Sequence, residues 1–270
     1  MIIDTHVHIG ESLGFSLTPE DVIYSMNTYG IDYSIVSSVS GAEYDHDLNE
    51  IPLPHQIPQI DCLKECLSFA RKYPNRIGVG AWTKPHTEGV TDEYKKLIAD
   101  NIDIVKAIKL HAYHSKTSVD SNAFLPYLEL AREFCLPVVV HTGGCDEAEP
   151  VTVYNAAKKH PDISFVMVHM GLGSDNKSAI EYASSLPNLY GDTTWVPVKS
   201  TLELIKRAGS HKILFGSDNP IDGKDTYLCN GYGERSLYQE YFNEFKEAVP
   251  NADYENIMWR NAAKLFHIDL

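Results

Sequence analysis

The chain reads as an α/β protein: a (β/α)8 TIM barrel over residues 1–270, one domain, with an additional C-terminal helix. Three observations predict it. Short runs of Val, Ile, Leu, Met and Phe alternate with helical patterns from end to end, as parallel strands buried on both faces and joined by crossover helices do. Eight such strand–helix pairs can be laid along the sequence. Several runs end in an imidazole or a carboxylate followed by a Gly or Pro turn, and those ends meet at one point only if the sheet closes.

The strands are expected at 1–9, 33–39, 76–82, 104–112, 136–142, 163–170, 188–195 and 212–217. Helical patterns fill roughly 18–30, 59–73, 89–101, 121–135, 150–160, 175–186, 198–209 and 236–249, and the extra helix covers 253–266. Thr18-Pro19-Glu20-Asp21 opens the first helix with an N-cap, a first-turn Pro and acidic groups near the positive end of the dipole. Gly30 closes it, and Pro74 follows the second. Segment 40–58 shows neither period and follows the second strand, so it lies on the face of the strand C-termini. It is either a lid or substrate wall, or a surface excursion tied down by Pro52, Pro54 and Pro58. The stretch 221–235 after the eighth strand raises the same choice.

Composition narrows the function classes. An apolar fraction of 43% supports a sizeable core. A formal net charge of −14 argues against a nucleic-acid partner, which needs clustered Lys and Arg. Five cysteines without a CxxC suggest neither a disulfide framework nor a thiolate metal site. Cys62 and Cys66, four apart on a helix, read as packing residues. No basic segment followed by an apolar one opens the chain, and no apolar stretch nears the length of a membrane span. The reading is a soluble cytoplasmic protein without a membrane partner.

His6 and His8 stand two apart on the first strand and so share its inward face, where two neutral imidazoles make half a zinc site. Asp4 shares that face one layer deeper, either as an acceptor for a ligand imidazole or as a hydrogen-bonded carboxylate near the barrel floor. His141 ends LPVVVH, His169 ends SFVMVH and Asp218 ends ILFGSD, with Gly216 leaving space below it. Each alone is a common core residue. All five at strand C-termini point to a metal site.

DTHVH at 4–8, AIKLH at 107–111, PVVVHTG at 137–143, FVMVHMG at 165–171, LFGSDNP at 214–220 and WRNAAKLF at 259–266 together resemble the amidohydrolase superfamily, in its family 2 branch. The resemblance implies that His6, His8, His141 and Asp218 bind a divalent metal, zinc by preference. His169 would bind a second metal or stand beside the metal-bound water and polarise the substrate. Asp218 would accept that water's proton and pass it to the leaving group. Lys109 in KLH resembles the lysine that some superfamily members carbamylate to bridge two metals. In family 2 it often stays unmodified, and pairing with a core carboxylate such as Asp4 is the alternative. One ion is favoured over two.

Substrate contacts are expected from His111, Tyr113, His114, Trp195, Asn219 and Arg235, with His46, His55 and His86 in loops on the same face. The leading function is a metal-dependent hydrolase cleaving a C–N or C–O bond of a small amide, lactone or cyclic ester. The alternative is a zinc-dependent non-oxidative decarboxylase of an aromatic or unsaturated acid. A decarboxylase should hold its substrate carboxylate with a cation. Of six arginines only Arg235 falls in a mouth loop, with Lys84, Lys116, Lys199 and Lys224 as further candidates, which tilts the reading to hydrolysis. A silent barrel has no reason to keep five ligand-type residues. The partner expected is a small-molecule substrate, with homo-oligomer formation open.

Overall fold

The structure, a computed structural model, describes residues 1–221 and 237–269. Its strands are β1 (Ile3–Ser12), β2 (Phe15–Leu17), β3 (Tyr33–Ser38), β4 (Ile77–Trp82), β5 (Val105–Leu110), β6 (Val138–Gly143), β7 (Phe165–Leu172), β8 (Leu189–Asp192) and β9 (Ile213–Leu214). They form one curled sheet in the order β2-β1-β3-β4-β5-β6-β7-β8-β9. All pairings are parallel except the hairpin of β1 with β2, which turns through Leu13 and Gly14. That hairpin lengthens the mouth and was not foreseen in the sequence.

Backbone bonds close the curl. Thr5 N–H donates to Phe215 O (2.9 Å), Asp218 N–H to His6 O (2.8 Å) and His8 N–H to Asn219 O (2.8 Å). Residues 215–219, which continue β9, therefore run beside β1. Asp4 bolts the same seam, accepting from the Ser217 N–H (3.1 Å) and the Ser217 hydroxyl. This is the role of a hydrogen-bonded carboxylate near the floor.

Between the strands lie α1 (Pro19–Tyr29), α2 (Gln59–Lys72), α3 (Asp92–Ala99), the single turn α4 (Ala112–Ser115), α5 (Leu125–Glu133), α6 (Pro150–Lys159), α7 (Lys177–Ser185) and α8 (Val198–Ala208). Thr18 Oγ1 caps α1 by accepting from the Asp21 N–H (3.1 Å), and Gly30 at φ 69° ends it, as the local signals predict. The helix expected over 236–249 is two, α9 (Leu237–Phe242) and α10 (Glu244–Ala248), broken at Asn243. The extra C-terminal helix runs as α11 (Asn251–Glu255), a wider turn over 256–260, and α12 (Asn261–Leu265).

Apolar residues fill both sides of the sheet. Val36, Val79, Ile108, Val140 and Met167 face the helices, while Ile3, Ile35, Ala107, Val139 and Leu214 fill the interior. Ala262 and Phe266 plug the end away from the mouth against that interior set. No helix among the described residues is long and apolar enough to cross a membrane.

Candidate metal centre and substrate cavity

β1 turns His6 and His8 inward, both nearly fully buried. Their Nε2 atoms face each other at 2.8 Å, and Asp218 Oδ1 lies 3.1 Å from the first and 3.2 Å from the second. His169 Nε2 stands 4.0 Å from Asp218 Oδ2. Ligand atoms of His6, His169 and Asp218 all lie within 4.8 Å of one another. His169 (φ 69°) and Asp218 (φ 68°) both adopt the left-handed conformation at their strand ends. For non-glycine residues this costs on the order of 1–3 kcal/mol each, and such strain gathers at functional sites.

The tautomers follow from backbone partners. A carbonyl only accepts, so His8 Nδ1–H donates to Ser37 O (3.2 Å) and His169 Nδ1–H to Thr194 O (3.2 Å). Both Nε2 atoms then carry lone pairs into the site. Burial, then the charge of Lys109, lowers His6 well below its ordinary pKa, and burial brings His169 down to about 4. Burial alone would raise Asp218. The neighbouring imidazoles, His6 foremost, outweigh it and hold the carboxyl well below the usual range. At these distances a proton on His6 Nε2, or a cation in its place, must lie between the His8 lone pair and the Asp218 carboxylate. Imidazole nitrogens with one carboxylate oxygen are a donor set that suits a divalent ion.

A second layer holds this set in place. Trp195 Nε1–H donates to Asp218 Oδ2 (3.0 Å), which leaves Oδ1 to the histidines. Asp192, fully buried at the end of β8, accepts from the His169 N–H (2.9 Å) and the Thr194 hydroxyl (2.6 Å). Its Oδ2 lies 3.8 Å from His6 Nδ1, and burial pushes its carboxyl up to about 7. Sequence reasoning missed Asp192; the signal was a carboxylate ending the run LYGD. The space above Gly216 is taken by Thr194 and Asp192, so a Cβ there would sit 2.9 Å from Asp192 Oδ2 and 3.1 Å from His6 Cβ.

Lys109 is buried with no hydrogen-bond partner for its Nζ, so the pairing with Asp4 offered as one alternative is not formed. The void it shares with His6, His8, Ser37 and Gly80 is about 10 Å³. That is about one water probe.

Above the cluster opens a cavity of about 250 Å³. His8, His141, His169 and Asp218 form its floor, and Trp82, His111, Tyr113, His114 and His46 its walls, with Phe15, Leu172 and Ile221 at the rim. The rings of His111 and His141 stack 3.9 Å apart at 17°, so their faces cover each other, and Trp82 lies 5.6 Å from His111 at 32°. Segment 40–58 contributes His46, because Glu43 and Tyr44 N–H both donate to His114 O (2.9 Å). Thr87 pins the buried Glu43 carboxylate. Residues 43–46 are therefore a wall, while Leu53 at 65% exposure belongs to a surface excursion.

Two expected substrate contacts lie elsewhere. Trp195 is absent from the cavity lining and turns to Asp218. Asn219 is fully buried, its side-chain amide unpaired and outside the lining. Arg235 lies outside the described residues. Among them no Lys or Arg lines the cavity; Lys84 Nζ is engaged by Ile57 O (2.9 Å) and Glu88 (3.1 Å). A larger hollow of about 360 Å³, lined by Arg132, Tyr190 and Lys264, holds none of the site residues.

A family model described as amidohydrolase, Amidohydro_2, matches residues 3–268. No curated protein matches the chain. Among solved structures the fold is similar to the 5-carboxyvanillate decarboxylase of Novosphingobium aromaticivorans, complexed with manganese and 4-hydroxy-3-methoxy-5-nitrobenzoic acid. The TM-score is 0.72 at 13% identity, covering 99% of this chain and 96% of that one. It is also similar to the 2,6-dihydroxybenzoate decarboxylase of Rhizobium (TM-score 0.67, 13% identity, 100% and 99% covered). A third likeness is to the IDCase of Metarhizium anisopliae (TM-score 0.68, 14% identity, 99% and 97% covered). At such identities the likeness is one of fold. The match over nearly the whole length places the chain in the Amidohydro_2 family of amidohydrolases.

Proposed function

We propose that this protein is a metal-dependent, non-oxidative decarboxylase of a small aromatic carboxylic acid. The rings of Trp82, His111, Tyr113, His114 and His46 around the cavity beside the histidine–aspartate cluster carry the reading, because such a lining offers a planar ring edge and face contacts next to an acid–base group. The likeness to two aryl-acid decarboxylases supports it over the hydrolysis expected from the sequence.

His6, His8, His141 and Asp218 would hold one divalent ion, manganese or zinc. When bound, the ion supplies positive charge for the substrate carboxylate, a role for which the described lining has no Lys or Arg. Among the described residues Asp218 is the only carboxyl on that lining. A proton on Oδ2, the oxygen held by Trp195, passes to the ring carbon bearing the carboxylate. As the C–H bond forms the C–C bond breaks, its electron pair restores the ring, and carbon dioxide leaves. Water then returns a proton to Asp218. A positioned acid of this kind is worth about 10²–10⁴-fold in rate.

Hydrolysis of a neutral lactone or amide is the second reading, favoured by the lack of a cationic side chain among the described lining residues. Metal-free protein, reloaded with manganese or zinc, should be offered aryl carboxylates, lactones and amides. Metal-dependent release of carbon dioxide is the result expected. Acid release without carbon dioxide would install the hydrolase reading instead.

A further inference from the structure

The reading of the cavity as the substrate site leaves one wall unexplained. His111 and His114 lie at the end of β5, three residues apart across the single turn α4, with ring centres 4.4 Å apart and planes at 44°. Both line the cavity. Their proton positions are set by groups that can act in one sense only. The His114 backbone N–H can only donate, and it donates to His111 Nδ1 (3.3 Å). His111 Nδ1 therefore carries a lone pair, and the ring's proton sits on Nε2. The Tyr44 carbonyl can only accept, and it takes the His114 Nδ1–H (2.8 Å). The neutral His114 ring thus presents a lone pair on Nε2. The bond from the His114 N–H requires a lone pair on His111 and so fixes that ring as neutral, and burial lowers His114 to about 4. The Asp45 carbonyl also lies against the His114 ring, beside that of Tyr44, and both His111 and His114 open on the cavity.

We infer that His111 and His114 form a donor–acceptor subsite for a neutral hydroxyl on the substrate. One oxygen would accept from His111 Nε2–H and donate its own hydrogen to His114 Nε2. A methyl ether can satisfy the first bond but sets a methyl group against the second nitrogen. A carboxylate or phenolate oxygen has no hydrogen to give and leaves the His114 lone pair facing negative charge. The pair therefore selects hydroxy-substituted acids over methoxy- or further carboxy-substituted ones, and the inference rests on the cavity binding an aryl acid.

The test is calorimetric binding of the three hydroxybenzoate isomers and their methoxy counterparts to manganese-loaded protein. At least one hydroxy isomer should bind about tenfold or more tightly than its methoxy partner, the worth of one unpaired buried acceptor. In His114→Phe the acceptor is gone, and the ratio should fall to about one. His111→Asn keeps a side-chain oxygen for the His114 N–H but withdraws the donor, and it should also erase most of the preference. Equal binding of every hydroxy and methoxy pair by the unmodified protein overturns the subsite and leaves the aryl-acid cavity standing. A preference that survives both substitutions does the same. Failure of all six acids to bind removes the aryl-acid reading and the subsite with it.

Discussion

Lys109→Met keeps the barrel interior filled while removing its charge. Lys109 is 3% exposed, and its Nζ has no hydrogen-bond partner. Burial lowers its pKa from 10.5 to about 8 against the opposing pull of Asp218 and Asp192. At 1.36 kcal/mol per pH unit, keeping that ammonium charged at neutral pH costs the folded chain roughly 3 kcal/mol. The folded value lies below the unfolded one, so the unfolded chain binds more protons between about 8 and 10.5. Stability therefore rises through that window, and the penalty is complete below it. Urea denaturation of metal-free protein at pH 7 should show Lys109→Met more stable than the parent, by roughly 1–3 kcal/mol. The gain should shrink by pH 10, where the parent's lysine is largely neutral. A loss of about 3–5 kcal/mol, the usual result of breaking a buried ion pair, would refute the reasoning and show the ammonium to be paired.

Trp195→Phe removes the N–H that holds Asp218 Oδ2. A hydrogen bond to a charged group contributes about 1.5–3 kcal/mol, so turnover should fall roughly ten- to a hundredfold while elemental analysis finds metal content unchanged. Gly216→Ala should destabilise by about 1–3 kcal/mol and weaken metal binding, because its Cβ crowds Thr194, Asp192 and His6; thermal melts and metal titration check both. Acid should destabilise the metal-free protein. His6, His111, His114, His141 and His169 are all lowered in the folded state, mainly by burial, so the stability they allow is present above about 6.5 and lost as pH falls below it. Asp192, raised to about 7, works the other way as a single group. The urea midpoint should fall steadily from pH 7 to 4.5, and a flat or rising midpoint would count against buried neutral imidazoles.

The strands and the convergence of His6, His8, His169 and Asp218 were legible because period and strand-end position are local properties. The β1–β2 hairpin was not, since it depends on Leu13 and Gly14 both taking positive φ. Asp192 hid for a different reason. Its importance comes from partners brought together by folding, the His169 N–H and Thr194, and nothing in LYGDTT announces them. Trp195 was read as a substrate contact from its place after a strand. Its positive φ of 57° accompanies an indole turned to Asp218 instead. Asn219 was misread for a similar reason, since the left-handed φ of 68° at Asp218 breaks the strand pattern just before it. The histidine tautomers depend on carbonyls of Ser37, Tyr44 and Thr194 that are distant in the chain or cross a loop.

The central claim is that Asp218 delivers a proton to the carbon that loses carbon dioxide. Turnover of a decarboxylated aryl acid in heavy water, followed by mass spectrometry and proton NMR of the product, tests it most directly. The account predicts one deuterium at the vacated ring carbon for each carbon dioxide released. It also predicts that Asp218→Asn slows this by on the order of 10²–10⁴-fold while retaining much of its metal. A product bearing a new carboxylate and no carbon-bound deuterium would contradict it, as would near-normal turnover by Asp218→Asn.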